Sequence, residues 1–316
     1  MGANLLEYQT TLESCVSLSG VGVHTGKSVS IQFNPAEADT GVVFQRTDAQ
    51  ATGQTIRALA AEVVETDLCT ALGDPAGDNI ATVEHLMAAL SAMGIDNVSI
   101  EIDGPEVPIM DGSAKAFVDA FQQAGIRMLS EKRRYIRVLK PVRIDSGSSW
   151  AEFRPHNGTR FEVEIDFESP AIGRQALSVD LNADTFAREV ALARTFGFIK
   201  DVEWLWSAGF ALGSSLENSV VIGENHRVIN MEGLRYPDEF VRHKMLDAVG
   251  DLALAGARFI GCFRSYRGGH RLNAAALRHL LTDSTAFEIV ETTRRKSGRA
   301  AELIAVNAPV HAPWAL

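Results

Sequence analysis

Three ionisable residues stand four apart in EFVRHKMLDAVGDL, residues 239–252: His243, Asp247 and Asp251. At that spacing they line one side of an α-helix, with neighbouring Cβ atoms about 5–6 Å apart. An imidazole nitrogen and a carboxylate oxygen so placed can reach one metal ion. They can equally share a hydrogen bond on a partly exposed helix face. The other faces carry Val241, Met245, Leu246, Val249, Leu252 and Leu254. A helix apolar nearly all round is expected to be buried, and buried carboxylates demand a partner or a cation.

A second spot, TVEHL, sets Glu84 beside His85. His85 is a third candidate ligand. Two His and one Asp leave coordination positions open, as in catalytic rather than closed structural zinc sites. Glu84 points about 100° away from His85 on a helix, which suits a water held by the ion better than the ion itself. A metal that acidifies a water and a Glu that takes its proton form a hydrolytic arrangement. Read structurally, Glu84 is an acid favoured by the dipole of a first helical turn, and His85 is a hydrogen-bonded core histidine. The HExxH pattern of zinc proteases is absent. His270, in YRGGHRLN, is a candidate acid. Glycines before it allow close backbone approach to a substrate, and Asp251 can hold its imidazolium and raise its pKa. Otherwise it is a loop histidine without a role.

The elements that must position these groups read as strands followed by helices, twice over. CVSLSGVGVHTGKSVSIQFNPA predicts two strands joined by a Gly-rich loop, and short strands follow to residue 75. ATVEHLMAALSAMGI predicts a helix with Thr82 as N-cap and Gly94 as its stop; SAKAFVDAFQQAGI predicts another, capped by Ser113 and ended by Gly125. Composition shifts near residues 128–134, where the basic run Lys132–Arg134 reads as a solvated linker. Beyond it come strands, a helix-like stretch over 183–210, a hairpin over SVVIGENHRVIN, a long helix closed by Gly256, a strand, and a last helix from about Asn273. Strands and then helices in both halves favour α+β layers over alternating βαβ units.

The 316 residues exceed what one compact core usually serves, so two domains are expected, 1–130 and 131–316. With 46% apolar and 22% charged residues the chain reads as soluble and globular, with no run long enough to span a membrane. It has no secretory start, and three cysteines without metal-type spacing suit a reducing cytoplasm. A net charge of −10 argues against nucleic-acid binding. It leaves room for an anionic small substrate at a locally basic site. Arg258, Arg264, Arg267 and Arg271 surround His270 as candidates, or they are surface arginines on a strand and turn.

Taken together, SGVGVHTGKSV, TVEHLMAAL, GIDNVSIEIDGPEVPIMDGSA, ARTFGF, LRYPDEFVRHKMLDAVGDLAL and YRGGHRLN resemble the UDP-3-O-acyl-N-acetylglucosamine deacetylases. These are zinc amidohydrolases of lipid A synthesis in Gram-negative bacteria, and the likeness runs over nearly the whole chain. The resemblance implies His85, His243 and Asp247 as ligands of one Zn²⁺ per chain, with Fe²⁺ suited to the same ligands in the cell. It implies Glu84 as general base, His270 as electrostatic and acid partner oriented by Asp251, and Thr195 as an oxyanion-stabilising hydroxyl. Lys244 and Phe196 match residues at the substrate head group. Leu68, Phe198, Val202, Ala211, Ser214 and Ser219 match positions along a hydrophobic passage for the acyl chain.

The implied fold is two α+β domains, each a helical layer on a sheet, with the site between them. Small inserts are expected near 64–72 and 198–221. Asp67 departs from the uncharged or basic residue more common there, and Ala211 and Ser214 occupy variable positions. These departures bear on acyl-chain length rather than on the chemistry. The implied substrate is UDP-3-O-acyl-N-acetylglucosamine, handled by a cytoplasmic monomer. Two other readings use the same residues: a non-haem Fe(II) oxygenase built on two His and a carboxylate, and a non-catalytic sugar-nucleotide binder.

Overall fold

The computed structural model describes residues 6–293 and 302–306. The fold is α+β, with two large sheets each covered by helices and, among the described residues, three smaller sheets of two or three strands. The first sheet has five strands in the order Val16–Val21, Ser28–Pro35, Val98–Ile102, Val42–Arg46, Thr55–Arg57. Its pleat is written in the sequence: Val29, Ile31 and Phe33 are buried, while Ser28, Ser30 and Gln32 face out. Helices α1 (Glu84–Met93) and α2 (Lys115–Ala124) belong to the same half. Phe33 meets Phe117 and Phe121 of α2 edge-on, with centroids 6.4 and 5.1 Å away. Burying a ring of this kind contributes about 1.5–3 kcal/mol.

The second sheet has eight strands. Its main path runs Val142–Ser146, Ser149–Arg154, Arg258–Tyr266, Arg134–Val138, Phe287–Thr293, Glu302–Ala305, and the hairpin Thr159–Asp166 with Arg174–Asp180 joins at Arg258–Tyr266. The helices of this half are α3 (Ala183–Glu189), α4 (Val202–Ser207), α5 (Glu239–Ala253) and α6 (His270–Thr282). Helix α5 packs against α1, so the helical layers of the two halves meet face to face. The approach is close at Gly250, where a Cβ would lie 1.9 Å from the Glu84 carbonyl oxygen. Only a residue without a side chain fits there.

Several expectations are corrected. The stretch 183–210 is not one helix. It breaks at Glu189, crosses to a strand at Phe196–Phe198 and becomes helical again at Val202. Phe196–Phe198 pairs in parallel with Val220–Ile222 across α4, a small βαβ unit inside an otherwise α+β chain. Periodicity over so short an apolar run cannot separate strand from helix, and a pairing partner more than twenty residues away decides it. The hairpin expected over 219–230 is reduced to a single antiparallel bridge, Ile222 to Val228. Thr82 is not an N-cap. Its backbone lies at φ +60°, and its hydroxyl donates to Glu106 instead. Ser113 sits one residue before the cap position yet still accepts from Lys115 N–H at 3.2 Å. Gly94 and Gly125 end their helices at positive φ as expected, whereas α5 ends at Ala253, short of Gly256. The last helix begins at His270, three residues early, so His270 is helical rather than on a loop.

The basic run is not a solvated linker. Strands fill Ile126–Lys132 and Arg134–Val138, and Arg133 between them is 1% exposed. Its guanidinium reaches Asp96 at 2.6 Å and the Gly94 carbonyl at 2.7 Å. A cation thus sits on the carbonyl end of α1, where the helix dipole favours it. The ends of the two expected domain ranges, 1–5, 294–301 and 307–316, lie outside the described residues.

Candidate active site

Glu84 and His85 open α1, while His243, Asp247 and Asp251 lie along the inner side of α5. His270 opens α6 after the glycines Gly268 and Gly269. All six are at most 9% exposed. The answer to the buried line on α5 is therefore convergence: three helices from both halves bring their polar groups to one point.

His85 Nε2 lies 3.6 Å and His243 Nε2 3.3 Å from Asp247 Oδ1. Candidate ligand atoms of these three residues fall within 4.8 Å of one another. Among the described residues Asp247 Oδ1 is buried without a hydrogen-bond partner, an arrangement that costs free energy unless a cation completes it. The two imidazole rings meet edge-on with centroids 4.9 Å apart. His243 Nδ1 is 3.1 Å from the Ala193 carbonyl, so it donates there and leaves the Nε2 lone pair facing the cluster. Burial, the largest effect, drives the His243 pKa down to about 3 and keeps the ring neutral. The donor set and its orphaned oxygen fit a divalent ion.

The remaining oxygen of Asp247, Oδ2, pairs with Lys244 Nζ. Burial opposes charge on Asp247, yet His243, Lys244, His85 and His270 together hold its carboxyl well below the usual range. Lys244 is turned onto Asp247 rather than projecting from a separate face.

Glu84 and His270 flank this cluster. His270 Nε2 lies 3.9 Å from Glu84 Oε1 and 4.0 Å from Asp247 Oδ2. Burial raises the Glu84 pKa, against the pull of His270 and His85. Burial alone would lower the His270 pKa. Asp251, 3.0 Å from its Nδ1, and Glu84 outweigh that and carry it up to about 9. One carboxyl shifted toward the proton and one imidazole holding its proton is the division of labour that acid–base chemistry needs.

Two residues to which the sequence assigns no role complete the arrangement. Thr70 donates its backbone N–H to Glu84 Oε2 at 3.0 Å and its hydroxyl to Asp251 Oδ1 at 2.6 Å. One residue thus ties Glu84 to the carboxylate behind His270. Asn273 donates to Asp251 Oδ2 at 2.8 Å. Its spacing of three from His270 on a helix was the available signal; Thr70, at the end of DLCT, carried none.

The segment ARTFGF is fastened to α5 by Arg194, 2% exposed, whose Nε reaches Glu239 Oε1 at 2.9 Å. That fork holds Ala193 beside His243 and sets Thr195 between two residues that touch the His243 ring. The second of these, Phe196, lies 6.1 Å from it and 5.0 Å from Phe240. Phe198 borders a cleft of about 900 Å³ lined also by Phe167, Lys200, His226 and Arg267. Over residues 198–221, Val202 is half-buried, Ala211 and Ser219 are buried, and Ser214 is exposed with its hydroxyl 3.2 Å from that of Ser219. Leu68, 37% exposed, lies between the short strands Val63–Glu65 and Ala71–Gly73.

The four arginines near His270 in sequence do not gather. Arg258 packs beside Arg133 and Asp96, where burial lowers its pKa to about 10. Arg264 pairs with Glu162 at 2.9 Å. Arg267 borders the cleft and Arg271 is exposed. Arg258 and Arg264 stand six residues apart along one strand, and the turn after Tyr266 carries Arg267 and Arg271 off it.

A model of the family described as UDP-3-O-acyl N-acetylglycosamine deacetylase matches residues 9–282. Curated proteins named UDP-3-O-acyl-N-acetylglucosamine deacetylase from Brucella ovis, Brucella canis and Brucella melitensis are each 58% identical over 284 residues. The match covers 90% of this chain and 99% of each relative. A match of that length takes in the converging helices, and the chain belongs to the UDP-3-O-acyl N-acetylglycosamine deacetylase family.

Proposed function

We propose that this chain hydrolyses the acetamide of UDP-3-O-acyl-N-acetylglucosamine, releasing acetate and the free amine, the committed step of lipid A synthesis. The observation that carries the reading is the meeting of His85, His243 and Asp247 with Glu84 and His270 alongside. His85, His243 and Asp247 would hold one Zn²⁺, with Fe²⁺ suited to the same donors. Bound there, the ion supplies Lewis acidity for the carbonyl and for a water.

Glu84, one oxygen tied to Thr70, uses the other to take the water's proton. His270, kept protonated by Asp251, stabilises the developing charge and gives the leaving amine its proton. The Thr195 hydroxyl adds a donor for the oxyanion. Lys244 fixes Asp247 and meets the substrate, Phe196 borders the sugar, and Leu68, Phe198, Val202, Ala211, Ser214 and Ser219 line the acyl chain's path.

The iron oxygenase reading gives Glu84 no task and is not favoured by the family match; the complete set of ligands, base and acid speaks against a non-catalytic binder. The chain would work as a cytoplasmic monomer that does not bind nucleic acid, its halves dividing near residue 130. Among the described residues no helix is long and apolar enough to cross a membrane. Acetate release from the UDP-sugar, with and without chelator, tests the reading. Glu84→Gln should retain the metal and lose about 10²–10⁴-fold in turnover, and His243→Ala should lose stoichiometric metal. Absence of acetate release would overturn it, chelator-insensitive release would remove the metal, and near-normal turnover by Glu84→Gln would remove Glu84 from the role of base.

A further inference from the structure

One buried carboxylate stands outside the reaction just described. Glu106 is 1% exposed, and its four hydrogen bonds all come from uncharged donors. Oε1 accepts from His24 N–H at 2.8 Å and from Thr82 Oγ1 at 3.1 Å. Oε2 accepts from Thr25 N–H at 2.9 Å and Thr25 Oγ1 at 2.7 Å. Three of the four donors belong to the Gly22–Lys27 turn, which joins two strands of the first sheet. The turn closes on itself through Gly22 N–H to the Lys27 carbonyl and Gly26 N–H to the Gly22 carbonyl, both 3.0 Å.

The same turn grips the insert of the other half. Leu212 N–H donates to the His24 carbonyl at 3.1 Å, and Gly213 N–H to the Val23 carbonyl at 3.0 Å. The His24 ring meets Phe210 edge-on at 5.4 Å. The two backbones touch: a Cβ at Gly213 would lie 2.2 Å from the Gly22 carbonyl oxygen. The gripped stretch includes Ala211, at φ +55°, and runs into Ser214. The helix before it, α4, has no buried residue, so it adds little packing to hold this stretch in place.

We propose that Glu106 is a positioning residue for acyl-chain selection, acting through the Gly22–Lys27 turn to fix Phe210–Gly213 at the border of the acyl passage. The inference rests on the deacetylase reading above. With glutamine in place of Glu106, one of the two backbone N–H groups faces an amide NH₂ instead of an acceptor, the turn loosens and the passage border moves with it. The reacting acetamide, held among α1, α5 and α6, is not on that path.

Steady-state kinetics with a long-chain 3-O-acyl substrate and its 3-O-acetyl counterpart test this. Glu106→Gln and Gly213→Ala should each lower the long-to-short ratio of kcat/KM by about tenfold, the scale of a few misplaced apolar contacts in a specificity pocket. The loss should appear in KM for the long chain, with metal content unchanged. Thr82→Val removes the one Glu106 bond that does not run to the turn and should leave the ratio as it is. An unchanged ratio in Gly213→Ala, which alters the clasp without touching Glu106, overturns the proposal even where Glu106→Gln fails to fold. Absence of acetate release from either substrate by the unaltered protein instead removes the deacetylase reading.

Discussion

Replacing Gly250 by alanine tests whether the meeting of α1 and α5 positions the site. On helix propensity alone the change stabilises α5 by about 1 kcal/mol. The structure reverses the sign. The new Cβ would stand 1.9 Å from the Glu84 carbonyl oxygen, 2.7 Å from its carbon and 3.0 Å from its Cα. These are backbone atoms, so no rotamer change relieves the overlap. The helices must separate by roughly 1.5 Å before the first contact becomes ordinary van der Waals contact. Glu84 and His85 move with that backbone, away from Asp247 and His270.

Overpacking of this kind costs about 1–3 kcal/mol of stability, and displacing catalytic groups by about 1 Å costs about 10²-fold in rate. Gly250→Ala should therefore lose at least about a hundredfold in kcat/KM for acetate release, bind its metal more weakly, and unfold at lower urea. Wild-type turnover with full metal content, measured by elemental analysis after dialysis, would refute the claim that this contact sets the geometry.

Thr70→Val deletes the hydroxyl bond to Asp251 while keeping the N–H bond to Glu84. Hydrogen bonds to charged groups are worth about 1.5–3 kcal/mol, so kcat should fall about 10- to 100-fold with little change in KM. Thr70→Ser should restore most of it, and equal defects in both variants would refute a role for the hydroxyl. In metal-free protein, NMR titration should find the His270 imidazole protonated up to about pH 9. Because this folded value exceeds the ordinary 6.5, its stabilising contribution is complete below that pH and lost as the pH rises through 9. A midpoint near 6.5 would refute the hold exerted by Asp251 and Glu84. Arg194→Ala strands Glu239, which is 0% exposed, and should cost about 3–5 kcal/mol in urea unfolding. A loss below about 1 kcal/mol would show the fork to be dispensable.

Much of this protein was legible one residue at a time. Alternation in Ser28–Pro35, the glycine stops of α1 and α2, and the four-residue line on α5 follow from local stereochemistry, which any sequence displays. The ordered motifs from SGVGVHTGKSV to YRGGHRLN carried the family, since motifs of that length rarely recur together by chance. Everything that depends on a distant partner lay beyond such reading. His85 and His243 are 158 positions apart, and no spacing rule joins them; α1 packing on α5 through Gly250 does. Phe196–Phe198 has apolar residues that suit helix or strand, and Val220–Ile222 chose between them. Arg133 read as a solvated charge because charge is usually solvated, whereas burial beside the carbonyl end of α1 gave it structural work. The sequence by itself determined which groups are available and how each element faces. Tertiary structure alone decided which groups share a dry, low-dielectric point in space, and that is what makes them chemically active.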